Sequence, residues 1–165
     1  MKSKKLFYIG CIITALNLLA VINGMYFFFG MVGFSFVEWF FFNICAPSTI
    51  IFITGFVLRK IWLMSAAVPL MLFYGVGGLF IFGWSGTALF SQVGHLLMSA
   101  AIIFTGVVIW SDRERLRAGL AGLVAGVLLF MLVFPFQQSF VTNRMDLVKK
   151  LQDPAFEEFI KNQGD

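Results

Sequence analysis

The sequence predicts an all-α integral membrane protein, a bundle of five transmembrane helices followed by a short amphipathic C-terminal helix. Three observations predict it. Of 165 residues, 60% are hydrophobic and 12% charged, with a mean hydropathy of +0.93, whereas about a quarter of residues are charged in a soluble domain. The apolar residues gather into five runs, each long enough to cross a hydrocarbon core of about 30 Å. Lys and Arg sit in short groups at alternate ends of those runs, which is how they collect in cytoplasmic loops. Residues 1–136 therefore read as one transmembrane domain and 137–165 as a tail, with no room for a second globular domain.

The first helix covers about residues 6–32. Lys2, Lys4 and Lys5 before it resemble the start of a signal peptide. The apolar run, however, passes through VINGMYFFFG without a small-residue cleavage site, well beyond the roughly 7 to 15 residues of a signal core. YIGC before Cys11 would leave too short an apolar stretch for lipidation, so an uncleaved helix is expected. The second helix, about 38–58, is apolar except for Glu38 and Asn43, and Arg59 and Lys60 end it. The third, about 61–82, follows at once in a tight hairpin; Pro69 predicts a kink, and Gly75, Gly77, Gly78, Gly83 and Gly86 mark either a mobile half or close packing. GWSGTALFSQ leads to the fourth helix, about 90–110, the run Asp112 to Arg117 ends it, and the fifth covers about 118–136.

With the N-terminus inside, Lys2, Lys4, Lys5, Arg59, Lys60, Arg113, Arg115 and Arg117 all fall on the cytoplasmic side, while the outer loops hold only Glu38. This predicts a multi-pass protein of the cell (cytoplasmic) membrane with its N-terminus in and its C-terminus extracytoplasmic. Trp62 and Trp110 would form the inner aromatic belt, Trp39 and Trp84 the outer one. In the tail, Asp153 and Pro154 suit the N-cap and first helical position, with Glu157 and Glu158 in the first turn and Phe156, Phe159 and Ile160 on one face. A helix this short is marginal alone in water, so it either lies on the membrane surface or docks a partner. The net charge of +4 is topogenic rather than a nucleic-acid signal, because no basic stripe with interleaved aromatics exists.

Glu38 apart, no Asp, Glu, Lys or Arg falls within the spans, which argues against coupled transport by this chain alone. His95 is the single histidine, and Gln92, His95 and Ser99 share one face of the fourth helix, with Gly106 continuing it. An imidazole turned toward hydrocarbon would leave its polar atoms unsatisfied at a cost of several kcal/mol, so this face should look into the bundle. Asn43 and Cys45, just before Pro47 and the carbonyl it frees, lie at similar depth; Asn23 sits near the outer end of the first helix and Glu38 above them. His95, Gln92, Ser99, Asn43, Cys45, Glu38 and Asn23 thus make a candidate ligand pocket open to the outside. The alternative is a histidine that only bridges helices.

His95, Met98 and Cys45 are soft enough for copper but are weak metal candidates, since no CxxC, HxxxH or Met-rich run is present. One histidine also excludes bis-histidine haem within one chain, and no motif demands a cofactor. Cys11 and Cys45 belong near opposite faces of the membrane, too far apart for a disulfide. Ala118, Gly122 and Gly126 form a stripe of small residues for helix packing, either internal or between subunits. No Ser-His-Asp, HExxH or paired-carboxylate arrangement points to catalysis. Two functions stay open. The preferred one is a non-enzymatic transport-associated or complex-forming subunit, whose stripe and tail contact a homo-oligomeric or membrane-complex partner within the bilayer. The other is a membrane protein that binds a ligand, metal, quinone or haem in an outer-leaflet pocket around His95.

Overall fold

The computed structural model describes residues 4–81, 83–84 and 88–147. The tail helix expected over 153–160, together with Lys2, Phe82 and Gly86, lies outside the described residues. Those described form helices, with no strand among them. Helix α1 (Lys4–Met25) runs into a π-helical segment, Tyr26–Val32; α2 (Phe36–Phe42) and α3 (Cys45–Val57) follow. Helix α4 (Ile61–Leu70) continues through a second π-helical segment, Met71–Val76, into α5 (Gly77–Ile81), and α6 (Ala88–Trp110) and α7 (Arg113–Asn143) complete the chain. Four helices are long and apolar enough to cross a membrane, Lys4–Val32, Ile61–Ile81, Leu89–Trp110 and Arg113–Asn143, and the pair of α2 and α3 makes a fifth if counted as one bent span.

The expected second helix is two helices bent by 88°. Pro47 is the cause. In a continuous helix its ring would press on the carbonyl four residues back, that of Asn43, and could offer it no N–H. The chain breaks at that residue: Asn43 leaves helical geometry at φ −132°, ψ 55°. Its carbonyl accepts from the Ala46 N–H at 3.0 Å instead, and Pro47 falls in the first turn of α3, where a missing N–H loses nothing. Helix α2 starts on a reciprocal cap, the Ser35 N–H and hydroxyl donating to the Glu38 carboxylate at 2.8 and 2.7 Å while the Glu38 N–H donates back to the hydroxyl. It therefore folds aside at the end of the bundle, and the segment expected as one helix over about 38–58 is two helices meeting at a sharp bend.

Pro69 likewise withholds a donor from the Ser65 carbonyl, and the change of register is taken up by the π-helical segment that follows. Helix α7 exceeds the expected 118–136 at both ends. Asp112 caps it, accepting from the Glu114 N–H at 3.2 Å, and the Arg and Glu residues beyond are strong helix formers. At its other end Phe140 stacks on Phe41 of α2, ring centroids 4.7 Å apart.

Helices α4 and α7 meet backbone to backbone. A Cβ on Gly122 would strike the Trp62 carbonyl oxygen, and one on Gly126 the Ala66 carbonyl oxygen, with Pro69 Cδ 2.9 Å away. A Cβ on Gly119 would come within 2.7 Å of Ile109 on α6, while Ala118 stands half-buried beside it. The core behind them centres on Phe52, Met71, Met98 and Phe104. Outward surfaces of α1 and α7 are apolar, with Leu19 and Leu128 exposed at 62% and 63%.

Lys4, Arg59 and Arg115 line a common cavity, so the start of α1, the α3–α4 turn and the α6–α7 turn share one end of the bundle, the basic end. The finish of α7 and the cap of α2 meet at the other, where Arg144 pairs with Glu38 at 2.5 Å. Trp62, Trp84 and Trp110 are exposed, whereas Trp39 is buried against Phe29 and Phe36 and takes no place in an outer belt.

Candidate functional site

A cavity of about 780 Å³ opens between α1 and α6, backed by the start of α3. Its polar wall comes from three places: Asn17 and Asn23 on α1, Asn43, Cys45 and Thr49 around the α2–α3 break, and His95 on α6. The break puts Asn43 and Cys45 there, since only a chain that turns aside at residue 43 leaves this wall uncovered. Leu19, Phe90 and Val93 also line the cavity and are exposed at 62%, 73% and 49%, so the cavity opens sideways onto the apolar outer face.

Behind the wall, hydrogen bonds orient the side chains. Gln92 is fully buried, and its amide nitrogen donates to the carbonyls of Gly78 at 3.4 Å and Gly83 at 3.3 Å. Carbonyls only accept, so the amide oxygen faces the other way, toward His95 Nδ1 at 3.2 Å. That nitrogen must carry the proton, leaving Nε2 to accept from the Cys45 thiol at 3.6 Å. The result is a directed row from thiol to imidazole to amide to backbone. The imidazole lies on Gly78, where a Cβ would come within 2.7 Å of Nδ1, so glycine is required for the ring to sit there. Two hydroxyls, of Ser48 and Thr49, donate to the Cys45 carbonyl at 2.8 Å each, fixing the residue that presents the thiol.

Of the candidate pocket residues, His95, Cys45, Asn43 and Asn23 line the cavity and Gln92 stands behind it. Ser99 does not join: its hydroxyl bonds the His95 carbonyl of its own helix at 2.9 Å, the usual local competition of a helical serine. Glu38 does not join either, because it caps α2 and pairs with Arg144 at the end of the bundle. Asn17 is a wall residue outside that candidate set; 1% exposed, it ties α1 to α6 by donating to the Leu97 carbonyl at 3.2 Å. Thr49 is also outside that set; the signal that could have found it is its spacing of four from Cys45, the distance at which a hydroxyl reaches a helical carbonyl. Gly78 was among the glycines expected to mark either a mobile half or close packing, and it packs closely, against the His95 ring of α6.

Among the described residues no group of three or more His, Cys, Asp or Glu could hold a metal ion. Cys45 and His95 offer two ligands, and Met98, the third weak candidate, packs against Gly75 with its sulfur. Cys11 and Cys45 are both free thiols. The site as built can hold an apolar body and exchange hydrogen bonds with a compact head group.

The chain matches no known protein family, no curated protein and no solved structure. Fold and site define an all-helical bundle with four or five span-length helices and a cavity that opens on its apolar flank.

Proposed function

We propose that the protein is a membrane-embedded binding protein. In this reading the bundle lies in the cell membrane with its basic end toward the cytoplasm and the finish of α7 outside. The cavity receives from the lipid an apolar molecule with a compact hydrogen-bonding head, of which a quinone is the model case. The observation that carries the reading is the sideways cavity of about 780 Å³ with Cys45, His95 and Asn43 in its wall. An apolar ligand that enters from lipid gains little from leaving it, so affinity and selectivity must come from those few polar groups. The orientation is supported by Lys4, Lys5, Arg59, Lys60, Arg113, Arg115 and Arg117, which all belong to the basic end.

The reading as a complex-forming subunit has less to support it, because Gly122 and Gly126 are already occupied by α4 of the same chain. Binding is tested with purified protein in mild detergent and a short-chain quinone, read by melting temperature. A ligand at about a hundred times its Kd adds about 2.7 kcal/mol and a clear upward shift. Gly94 lines the cavity and a Cβ there meets nothing within 4 Å. Gly94→Leu should therefore fill the mouth, abolish the shift and leave the unliganded melting temperature near that of the native chain. A native chain that quinones leave unshifted, or a Gly94→Leu variant that binds as well, sinks the reading.

A further inference from the structure

A second cavity, of about 490 Å³, lies at the basic end between the start of α1 and the two basic turns. Lys4, Arg59 and Arg115 line it over an apolar floor that includes Phe56, Met64 and Val108. Among the described residues no carboxylate lines it and none of the three cations forms an ion pair. The acids nearest in sequence are Glu114, beside Arg115 in the first turn of α7, and Asp112, whose side chain caps that helix, and neither lines the cavity. Arg115 is steadied by donating to the Ser111 hydroxyl at 3.0 Å, and the Arg59 guanidinium sits 5.9 Å from the centre of the Phe7 ring. Three cations converge on one hollow, with no anion among its described lining residues.

Backbone geometry singles out Arg59 independently. Helix α3 ends with the Lys60 N–H on the Gly55 carbonyl at 2.8 Å and the Arg59 N–H on the Phe56 carbonyl at 3.0 Å, a closure that puts Arg59 at φ 56°. That position is ordinarily glycine, because a Cβ crowds the carbonyl in the left-handed region. The turn needs no side chain there. What the arginine contributes is a guanidinium in the cavity.

We propose that this cavity binds the phosphodiester head group of an anionic membrane lipid, Arg59 and Arg115 bonding its oxygens, Lys4 adding charge, and the acyl chains lying on the apolar flank. Arginine forks match phosphate oxygens, and basic hollows at the cytoplasmic boundary attract anionic lipids. The proposal rests on the membrane reading above but not on the His95 cavity.

The test uses full-length protein in neutral detergent, read by melting temperature and by mass spectrometry of the intact complex, against phosphatidylglycerol, phosphatidylcholine and inorganic phosphate. Phosphatidylglycerol should bind and stabilise, phosphatidylcholine should not, and phosphate alone should do neither at equal concentration. Arg59→Gly and Arg115→Gln should each weaken phosphatidylglycerol binding about fivefold. Arg59→Gly should do so without lowering the melting temperature of the lipid-free protein, since it relieves the left-handed residue. Arg117→Gln, outside the cavity, should bind as the native chain does. Equal binding of both lipids, or an equal loss in Arg117→Gln, overturns the site in favour of diffuse attraction. Equal stabilisation by phosphate alone overturns the lipid assignment. A chain that stays soluble without detergent refutes the membrane reading, and the phosphate arm then still reports on the anion site.

Discussion

Sγ of Cys45 lies 3.6 Å from Nε2 of His95, which joins the first turn of α3 to the middle of α6 across 50 positions of sequence. The contact exists because Pro47 ends one helix and begins another just where the thiol is needed. It is also the point at which the hydrogen-bonded row reaches the cavity, so changes behind it should be felt in stability and changes at it in binding.

Gln92→Leu takes the acceptor from His95 Nδ1 and the donor from the Gly78 and Gly83 carbonyls. Leaving buried polar groups without a partner costs about 1–3 kcal/mol. The expected result is a clearly lower melting temperature in detergent. Ser99→Ala, which removes only a bond to its own helix, should cost under about 0.5 kcal/mol. Equal losses in the two variants would show that the row is not what holds α5 and α6 together.

Gly122→Leu and Gly126→Leu put side chains against the backbone carbonyls of Trp62 and Ala66, where nothing can yield cheaply. Each should cost about 3 kcal/mol or more and is expected to prevent accumulation of folded protein. Gly106→Ala is the contrast: exposed on α6 with nothing within 4 Å of the added Cβ, it should gain about 0.5–1 kcal/mol of helix stability. Folding yield and melting temperature check both. A tolerated Gly122→Leu would remove the α4–α7 contact from the account.

Glu38 stands on α2, aside from the long helices, with its side chain 15% exposed. Donation from the Ser35 N–H and hydroxyl, with the facing Arg144 guanidinium, holds its carboxyl below the ordinary glutamate value. Asp146, 3.7 Å from Arg144 and 70% exposed, is the other charge at this contact. A carboxyl lowered on folding contributes fully above its unfolded value of about 4.3 and loses that contribution as pH falls through the lower folded value. Native protein should therefore lose more melting temperature between about pH 7 and pH 3 than Glu38→Gln does. Parallel pH profiles would mean that this carboxylate does not link α2 to α7.

The proposed orientation predicts an asymmetry that reporters can read. A phosphatase active only outside the cytoplasm, fused after Asn143, should be active, and fused after Ser111 it should be silent. The reverse pattern would invert the assignment of the basic end. Replacing Arg113, Arg115 and Arg117 together by Gln should weaken the preference.

Hydropathy made the long helices legible because unbroken apolar runs of about 20 residues are long enough to cross a membrane, and a segment that does so must satisfy its backbone groups within itself as a helix. Ends were harder. Asp112 can cap a helix or close one, and only the unbroken helix through Arg117 and the contacts of Phe140 and Arg144 decided where α7 starts and stops. The candidate pocket was half legible for a similar reason. Spacing put Gln92, His95 and Ser99 on one face, yet spacing cannot tell a side chain that crosses to another helix from one that bonds its own carbonyl, and Ser99 does the latter.

The sequence by itself determined that the chain is helical and strongly apolar, the order of its apolar segments and the end at which its cations gather, because these depend on composition and on distances along one chain. Tertiary structure alone decided that Pro47 turns the second segment through 88°, that Glu38 belongs to Arg144 rather than to a pocket, and that Gly78 seats the imidazole. Each of those is a matter of which surfaces come within a few ångströms of each other, and van der Waals contact and hydrogen bonding have no longer reach than that.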